Sequence, residues 1–168
     1  MSSQEHKAQA PVMVTCMVIT VSDTRTEETD KSGQTMKQHL TEAGHRTVLY
    51  EIVRDEPAEI TAAIERGIQH PDVQVILLNG GTGISKRDTT YEAVKALLEK
   101  EMPGFGEIFR MLSYTEDIGS AAILSRAIAG VYQGKAIFST PGSTGAVKLA
   151  MTKLIIPELG HVVRELHK

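Results

Sequence analysis

Three times in the first hundred residues, a short apolar run is followed by a polar break and then by apolar residues at helical spacing. The runs are Val12 to Val21, Arg46 to Val53 and Val73 to Leu78. The first and third are apolar enough for strands covered on both faces, which is how parallel strands sit. The first helical segment carries Met36, Leu40 and Ala43 on one face, and Gly44 stops it. The second begins at Asp55-Glu56-Pro57, with proline at the first helical position, and ends at His70-Pro71. In the third, Thr89-Thr90-Tyr91-Glu92 has capping-box spacing ahead of Ala93, Val94, Leu97 and Leu98. This alternation restricts the chain to an α/β fold with right-handed crossovers.

The second half is less regular. Met102-Pro103-Gly104 breaks the alternation, and Phe105, Ile108, Phe109 and Leu112 mark another amphipathic helix. A short helix is predicted over Ile118 to Arg126. Ala127 to Gln133 and Ala136 to Thr140 read as strands around a Gly134-Lys135 turn, so one strand is expected to run antiparallel. The closing helix, with Val147, Ala150, Met151, Leu154 and Ile155, is predicted to be interrupted at Pro157.

At 168 residues the chain suits one domain, predicted over 11–168 behind a polar, disordered tail at 1–10. A formal net charge of −3 argues against a general nucleic-acid binder. No apolar run is long enough to span a bilayer, and the first ten residues lack the apolar core of a signal peptide. The lone Cys16 falls inside an apolar strand and reads as a core thiol. A reducing cytoplasm is the expected location.

Chemistry is concentrated after the third run, in Asn79-Gly80-Gly81-Thr82-Gly83-Ile84-Ser85-Lys86-Arg87-Asp88. The glycines leave main-chain N–H groups open to an anion, and Lys86 and Arg87 add positive charge. Asp88 beside a phosphate-type loop fits only if a cation such as magnesium lies between acid and phosphate. The same stretch can also be a glycine turn with a capping aspartate and two solvated bases. If the strands are parallel, the loops at Ser22-Asp23, Asp55, Gly80 to Asp88 and Pro141 to Ser143 meet at one sheet edge, where such folds bind ligands. Competing motifs fail. Lys86 follows Ser85 and not the glycine of a Walker A loop, a dinucleotide fingerprint lacks its third glycine, and the six histidines show no metal-ligand spacing.

An aliphatic residue, two more, Gly-Gly-Thr-Gly, four residues and Asp form a pattern that Leu77, Gly80, Gly81, Thr82, Gly83 and Asp88 fill. It resembles the signature of the MoaB/MogA family of molybdenum cofactor biosynthesis proteins, which is related to the gephyrin G domain. Thr20 to Arg25, Asp30-x-Ser32-Gly33, Asp55, Leu124-Ser125-Arg126 and Pro141-Gly142-Ser143 extend the likeness along nearly the whole chain. The MoeA and CinA types share the signature. MoeA-type chains carry this domain within a much longer sequence, for which there is no room here.

The resemblance implies a three-layer α/β/α fold with a mostly parallel mixed sheet, and a homo-oligomer, hexamer favoured over trimer. It implies molybdopterin adenylyltransferase chemistry, in which ATP and magnesium transfer AMP to the terminal phosphate of molybdopterin and release pyrophosphate. Other proteins of the cofactor pathway would then be partners. Asp55 and Asp88 match the two critical aspartates and would hold magnesium or orient the acceptor. Gly80, Gly81, Thr82 and Gly83 match the phosphate loop, with Lys86 and Arg87 adding positive potential. Ser22 and Asp23 belong to the same edge. Ser113, Ser125 and Arg126 fall in the region associated with pterin binding, and Pro141, Gly142 and Ser143 match a loop lining the pocket. Asp55 can alternatively cap the helix before Pro57, and Arg126 can be a structural ion pair. The rival functional reading is a non-catalytic paralogue that carries or sequesters the pterin; a weaker third is a molybdate-binding insertase.

Overall fold

The computed structural model describes residues 2–8, 10 and 13–168. Among these residues, six strands form one sheet: β1 (Thr15–Val21), β2 (Arg46–Val53), β3 (Val75–Asn79), β4 (Lys100–Glu101), β5 (Ile128–Tyr132) and β6 (Lys135–Thr140). Their spatial order is β2-β1-β3-β6-β5-β4. β2, β1, β3 and β6 are mutually parallel, and β5 runs antiparallel between β6 and β4. The predicted antiparallel strand is therefore present. Its hairpin turns on Gln133 and Gly134, both at positive φ. Val12, where the first strand was predicted to begin, lies outside the described residues.

Among the described residues, seven α-helices complete three layers: α1 (Ser3–Ala8), α2 (Lys31–Glu42), α3 (Pro57–Gln69), α4 (Thr90–Leu97), α5 (Pro103–Glu116), α6 (Thr144–Ala150) and α7 (Ile156–Leu166). Alternation along the strands divides the core. Cys16, Val18, Val75, Leu77, Ala136 and Phe138 face Met36, Leu40, Phe109, Val147 and Leu159 of α2, α5, α6 and α7. Met17, Ile19, Ile76, Leu78 and Ile137 face Ile60, Ile64, Ala93 and Val94 of α3 and α4. Fully burying one such side chain stabilises the fold by roughly 1.5–3 kcal/mol. Gly44, at φ +85, ends α2 in a Schellman motif, with His45 N–H donating to Leu40 O and Gly44 N–H to Thr41 O.

Three local features differ from the sequence reading. Within the stretch expected as a disordered tail, of which Met1 and Gln9 lie outside the described residues, Ser3–Ala8 is helical and lies against α7. Ser2 and Glu5 cap it reciprocally, Glu5 N–H donating to Ser2 Oγ at 3.2 Å and Ser2 N–H to the Glu5 carboxylate. Pro157 does not interrupt the closing helix. A π turn over Met151–Ile155 widens the ladder, with Ile156 N–H bonded to Met151 O, and α7 continues from there. The predicted helix after Ile118 is a 3₁₀ helix, Gly119–Leu124. No helix among the described residues is long and apolar enough to cross a membrane.

Candidate active site

β1 and β3 are neighbours, yet β1 feeds α2 on one face and β3 feeds α4 on the other. Adjacent strands sending their chains to opposite faces open a crevice beyond their carboxyl ends. A cleft of about 530 Å³ occupies that position. Its floor is a polar rung. Thr20, Asn79 and Thr140 stand in register at the ends of β1, β3 and β6, all fully buried. Asn79 Nδ2 donates to Thr20 Oγ1 at 3.0 Å, and Thr20 Oγ1 donates to Asp30 Oδ2 at 2.7 Å. Asp30 also accepts from Gly33 N–H, capping α2, and from Tyr50 Oη at 2.5 Å. Burial and the Asp30 carboxylate push the Tyr50 phenol above its ordinary range.

The glycine loop rests on this floor. Gly80 (φ +101) and Gly81 (φ +71) occupy left-handed backbone. A Cβ on Gly80 would lie 2.2 Å from Val21 O, and one on Gly81 would lie 2.2 Å from Thr90 Oγ1. A Cβ on Gly83 would reach within 2.7 Å of Asp88 Oδ2. Asp88 closes the loop, accepting from Ser85 N–H at 2.9 Å and Ser85 Oγ at 2.7 Å. Arg126 braces it from behind. Its Nε donates to Gly83 O and its Nη2 to Asp88 O, each at 2.9 Å, while Nη1 pairs with Glu92 and the guanidinium lies over Tyr91. Glu92 is thus taken by Arg126, so the expected capping box does not form, and Thr89 makes no side-chain cap.

Asp23, Asp55 and Asp88 all line the cleft. Asp23 is gripped by Arg87 through Nε at 3.0 Å and Nη2 at 2.8 Å, and it accepts from Asp55 N–H at 3.1 Å. Those bonds, Arg87 foremost, hold its carboxyl below the usual range. Asp55 differs. Among the described residues its carboxylate forms no salt bridge and is offset only by the Asp23 main-chain N–H and the charge of Arg87, and the N-cap position of α3 belongs to Glu56. Desolvation first, then the charges of Asp23 and Asp88, raise its pKa. A half-buried acid whose charge is under-compensated beside other acids marks a candidate functional position, and a bound cation would relieve it. Among the described residues no group of three or more His, Cys, Asp or Glu could hold a metal alone. The donor set still fits magnesium, which typically takes one or two carboxylates and completes its shell with water and substrate phosphate oxygens.

The remaining predicted residues divide. Ser22, Gly80, Gly81, Thr82, Gly83, Ser125, Pro141 and Gly142 line the cleft. Among the described residues Ser125 Oγ has no hydrogen-bond partner, and it is buried. Ser22 Oγ shapes the β1 loop by accepting from Thr24 and Arg25 N–H. Ser143 caps α6 through Ala146 N–H. Lys86 and Arg87 do not line the cleft as expected: Lys86 is exposed on the outer loop, and Arg87 is held between Asp23 and Glu56. Ser113 is buried on α5 and also lies off the lining; its carbonyl accepts from Ile118 N–H at the helix end. Missing from the sequence reading are the apolar wall of Ile118, Ala121 and Leu124, and the Arg25 side chain. The 3₁₀ stretch gave no period to find the wall, and the rung below went unread, although polar ends on otherwise apolar strands are a signal that could have found it.

A family model for a probable molybdopterin binding domain matches residues 17–161. A Bacillus subtilis protein named molybdenum cofactor biosynthesis protein B is 65% identical over 168 residues, covering 100% of this chain and 99% of the relative. A crystal structure of a molybdenum cofactor biosynthesis protein B superimposes with a TM-score of 0.92 at 62% identity, covering 95% of this chain and 99% of that one. The tungsten cofactor synthesizing protein MoaB from Pyrococcus furiosus gives 0.84 at 38% identity, covering 95% and 100%. With an α/β/α fold, a cleft at the switch point and likeness along its whole length, the chain belongs to the MoaB branch of the molybdenum cofactor biosynthesis family.

Proposed function

We propose that the chain is a molybdopterin adenylyltransferase. The terminal phosphate of molybdopterin attacks the α-phosphorus of ATP; the new P–O bond forms as the bond to the bridging oxygen breaks, and pyrophosphate leaves. Asp55 and Asp88 would hold magnesium, which when bound supplies neutralising charge for the nucleotide phosphates. The acceptor is already an anionic oxygen, so the protein's task is alignment and charge management, without a strong base.

The observation that carries this reading is the Asp55 carboxylate, its charged form disfavoured by desolvation and by Asp23 and Asp88, in the same cleft as Asp88 and the glycine loop. The Gly80 N–H is donated to Thr140 O at 3.0 Å, so phosphate oxygens would rest against the main-chain amides of Gly81, Thr82 and Gly83. Ile118, Ala121 and Leu124 offer an apolar face for a flat heterocycle. A cytoplasmic homo-oligomer, hexamer before trimer, completes the proposal. Exposed Ile108, Met111, Tyr114 and Ile123 provide apolar surface for assembly.

One observation favours the second reading, a non-catalytic pterin carrier: neither Lys86 nor Arg87 faces the cleft to assist the α-phosphate. Purified protein given ATP, magnesium and molybdopterin separates the two. Pyrophosphate release supports the transferase; bound pterin without pyrophosphate supports the carrier.

A further inference from the structure

The cleft has two electrical ends. Asp23, Asp55 and Asp88 form one of them, and at the other Arg25 supplies the single Lys or Arg side chain that lines the cleft among the described residues. The Arg25 guanidinium is held by neutral acceptors: Nη2 donates to Gly142 O at 2.8 Å and Nη1 to Ser32 Oγ. Buried Asp30 lies 3.7 Å from Nη1, but its oxygens accept from Thr20, Tyr50 and Gly33 N–H. It acts as a counter-charge below the guanidinium without consuming its donors. Two of arginine's five N–H groups therefore have acceptors, and the side chain stays 31% exposed. Glycine keeps the neighbouring space clear. A Cβ on Gly142 would lie 3.1 Å from Gly80 Cα and 3.6 Å from Arg25 Nη1.

We infer that Arg25 is a phosphate-binding residue that receives a phosphate group directly, without metal, where the β1, β3 and β6 loops meet. The identity of that phosphate rests on the adenylyl-transfer reading. It is either the terminal phosphate of the pterin acceptor or a phosphate of the departing pyrophosphate. Bringing two phosphate-bearing substrates into one acidic cleft requires separate cations to limit their repulsion. A planar guanidinium fixed at its back by a carbonyl and a hydroxyl presents its remaining donors as a fork suited to phosphate oxygens.

The test is calorimetric titration of the full-length wild type, Arg25→Gln and Arg25→Lys, with oligomeric state and unfolding temperature recorded for each. The probes are inorganic phosphate, molybdopterin, and the magnesium complex of a non-hydrolysable ATP analogue. Arg25→Gln is expected to weaken inorganic phosphate binding about tenfold or more. A parallel loss for molybdopterin identifies the acceptor phosphate, and a loss for the analogue identifies the nucleotide. Arg25→Lys keeps the charge but not the bridge from Ser32 to Gly142, so it is expected to recover part of the phosphate affinity. A purely structural brace would fail equally in both variants. Unchanged phosphate affinity in Arg25→Gln, or equal loss in both variants, overturns the inference. Phosphate titration needs no turnover, so a failed adenylylation assay would leave this result standing, and the reverse also holds.

Discussion

The Arg126 side chain donates from Nε to the Gly83 carbonyl at 2.9 Å, tying the segment before β5 to the loop after β3. A second bond to Asp88 O means that one guanidinium sets the spacing between the start and the end of the loop. Arg126 thereby acts on the site through the shape of the glycine loop.

Replacing Arg126 by alanine removes both carbonyl bonds and the Glu92 pair. The loss of such charge-assisted bonds is expected to cost about 1.5–3 kcal/mol. For a domain of this size, that corresponds to a fall of roughly 2–4 °C in Tm per kcal/mol. Thermal unfolding measures the cost, and faster hydrogen exchange at 81–88 locates it. Unchanged exchange in that loop would contradict the brace.

Gly83→Ala tests the contact between loop and acid. The new methyl would meet Asp88 Oδ2 at 2.7 Å and push the carboxylate off its Ser85 bonds. Turnover is expected to fall by at least ~10-fold, since small misplacements at a reacting centre are costly. Gly104→Ala, where no heavy atom lies within 4 Å of the added Cβ, is expected to match wild type in a parallel assay.

Asp55 connects stability to function. Its pKa is raised in the folded protein, so the charged form is penalised at neutral pH, and the penalty fades as pH falls through the folded pKa towards the unfolded value. Asp55→Asn is therefore expected to unfold at the wild-type temperature or slightly above it at pH 7, with the difference shrinking in acid, while turnover is lost. Asp23 has the opposite sign. Its pKa is lowered, chiefly by Arg87, so its contribution is present above the ordinary carboxylate range and disappears as pH drops through its folded pKa. Unfolding curves at several pH values, compared with Arg87→Ala, check both signs.

The polar floor is expected to be structurally costly to disturb. Tyr50→Phe removes a hydrogen bond to the buried Asp30 carboxylate, at a cost of about 1.5–3 kcal/mol. In urea the midpoint should fall with the slope unchanged.

How far the sequence could be read follows from the range of each interaction. Strands β1, β2, β3, β5 and β6 and helices α2 to α5 were legible, because burial on one or two faces imposes a local period. The two-residue β4 was not, since an exposed Lys-Glu pair shows no period at all. Pro157 misled because a proline is read as a helix break, whereas a π turn can absorb one without a mark in the sequence. In the site, Asp55, Asp88 and the glycines were legible as a motif. The partners of Arg25, Arg87 and Arg126 were not, because each reaches a different loop that only the sheet order brings near. Ser113 was placed by motif proximity, but the helix turns it inward.

The most direct measurement is the rate of pyrophosphate release from ATP, magnesium and molybdopterin by wild type and by Asp88→Asn. The account predicts steady release by wild type. It predicts a loss of ~10²-fold or more in the variant, as for removal of a group that stabilises developing charge, with oligomeric state and unfolding curve unchanged. Near-normal release by Asp88→Asn, or none by wild type that nevertheless binds the pterin, would contradict it.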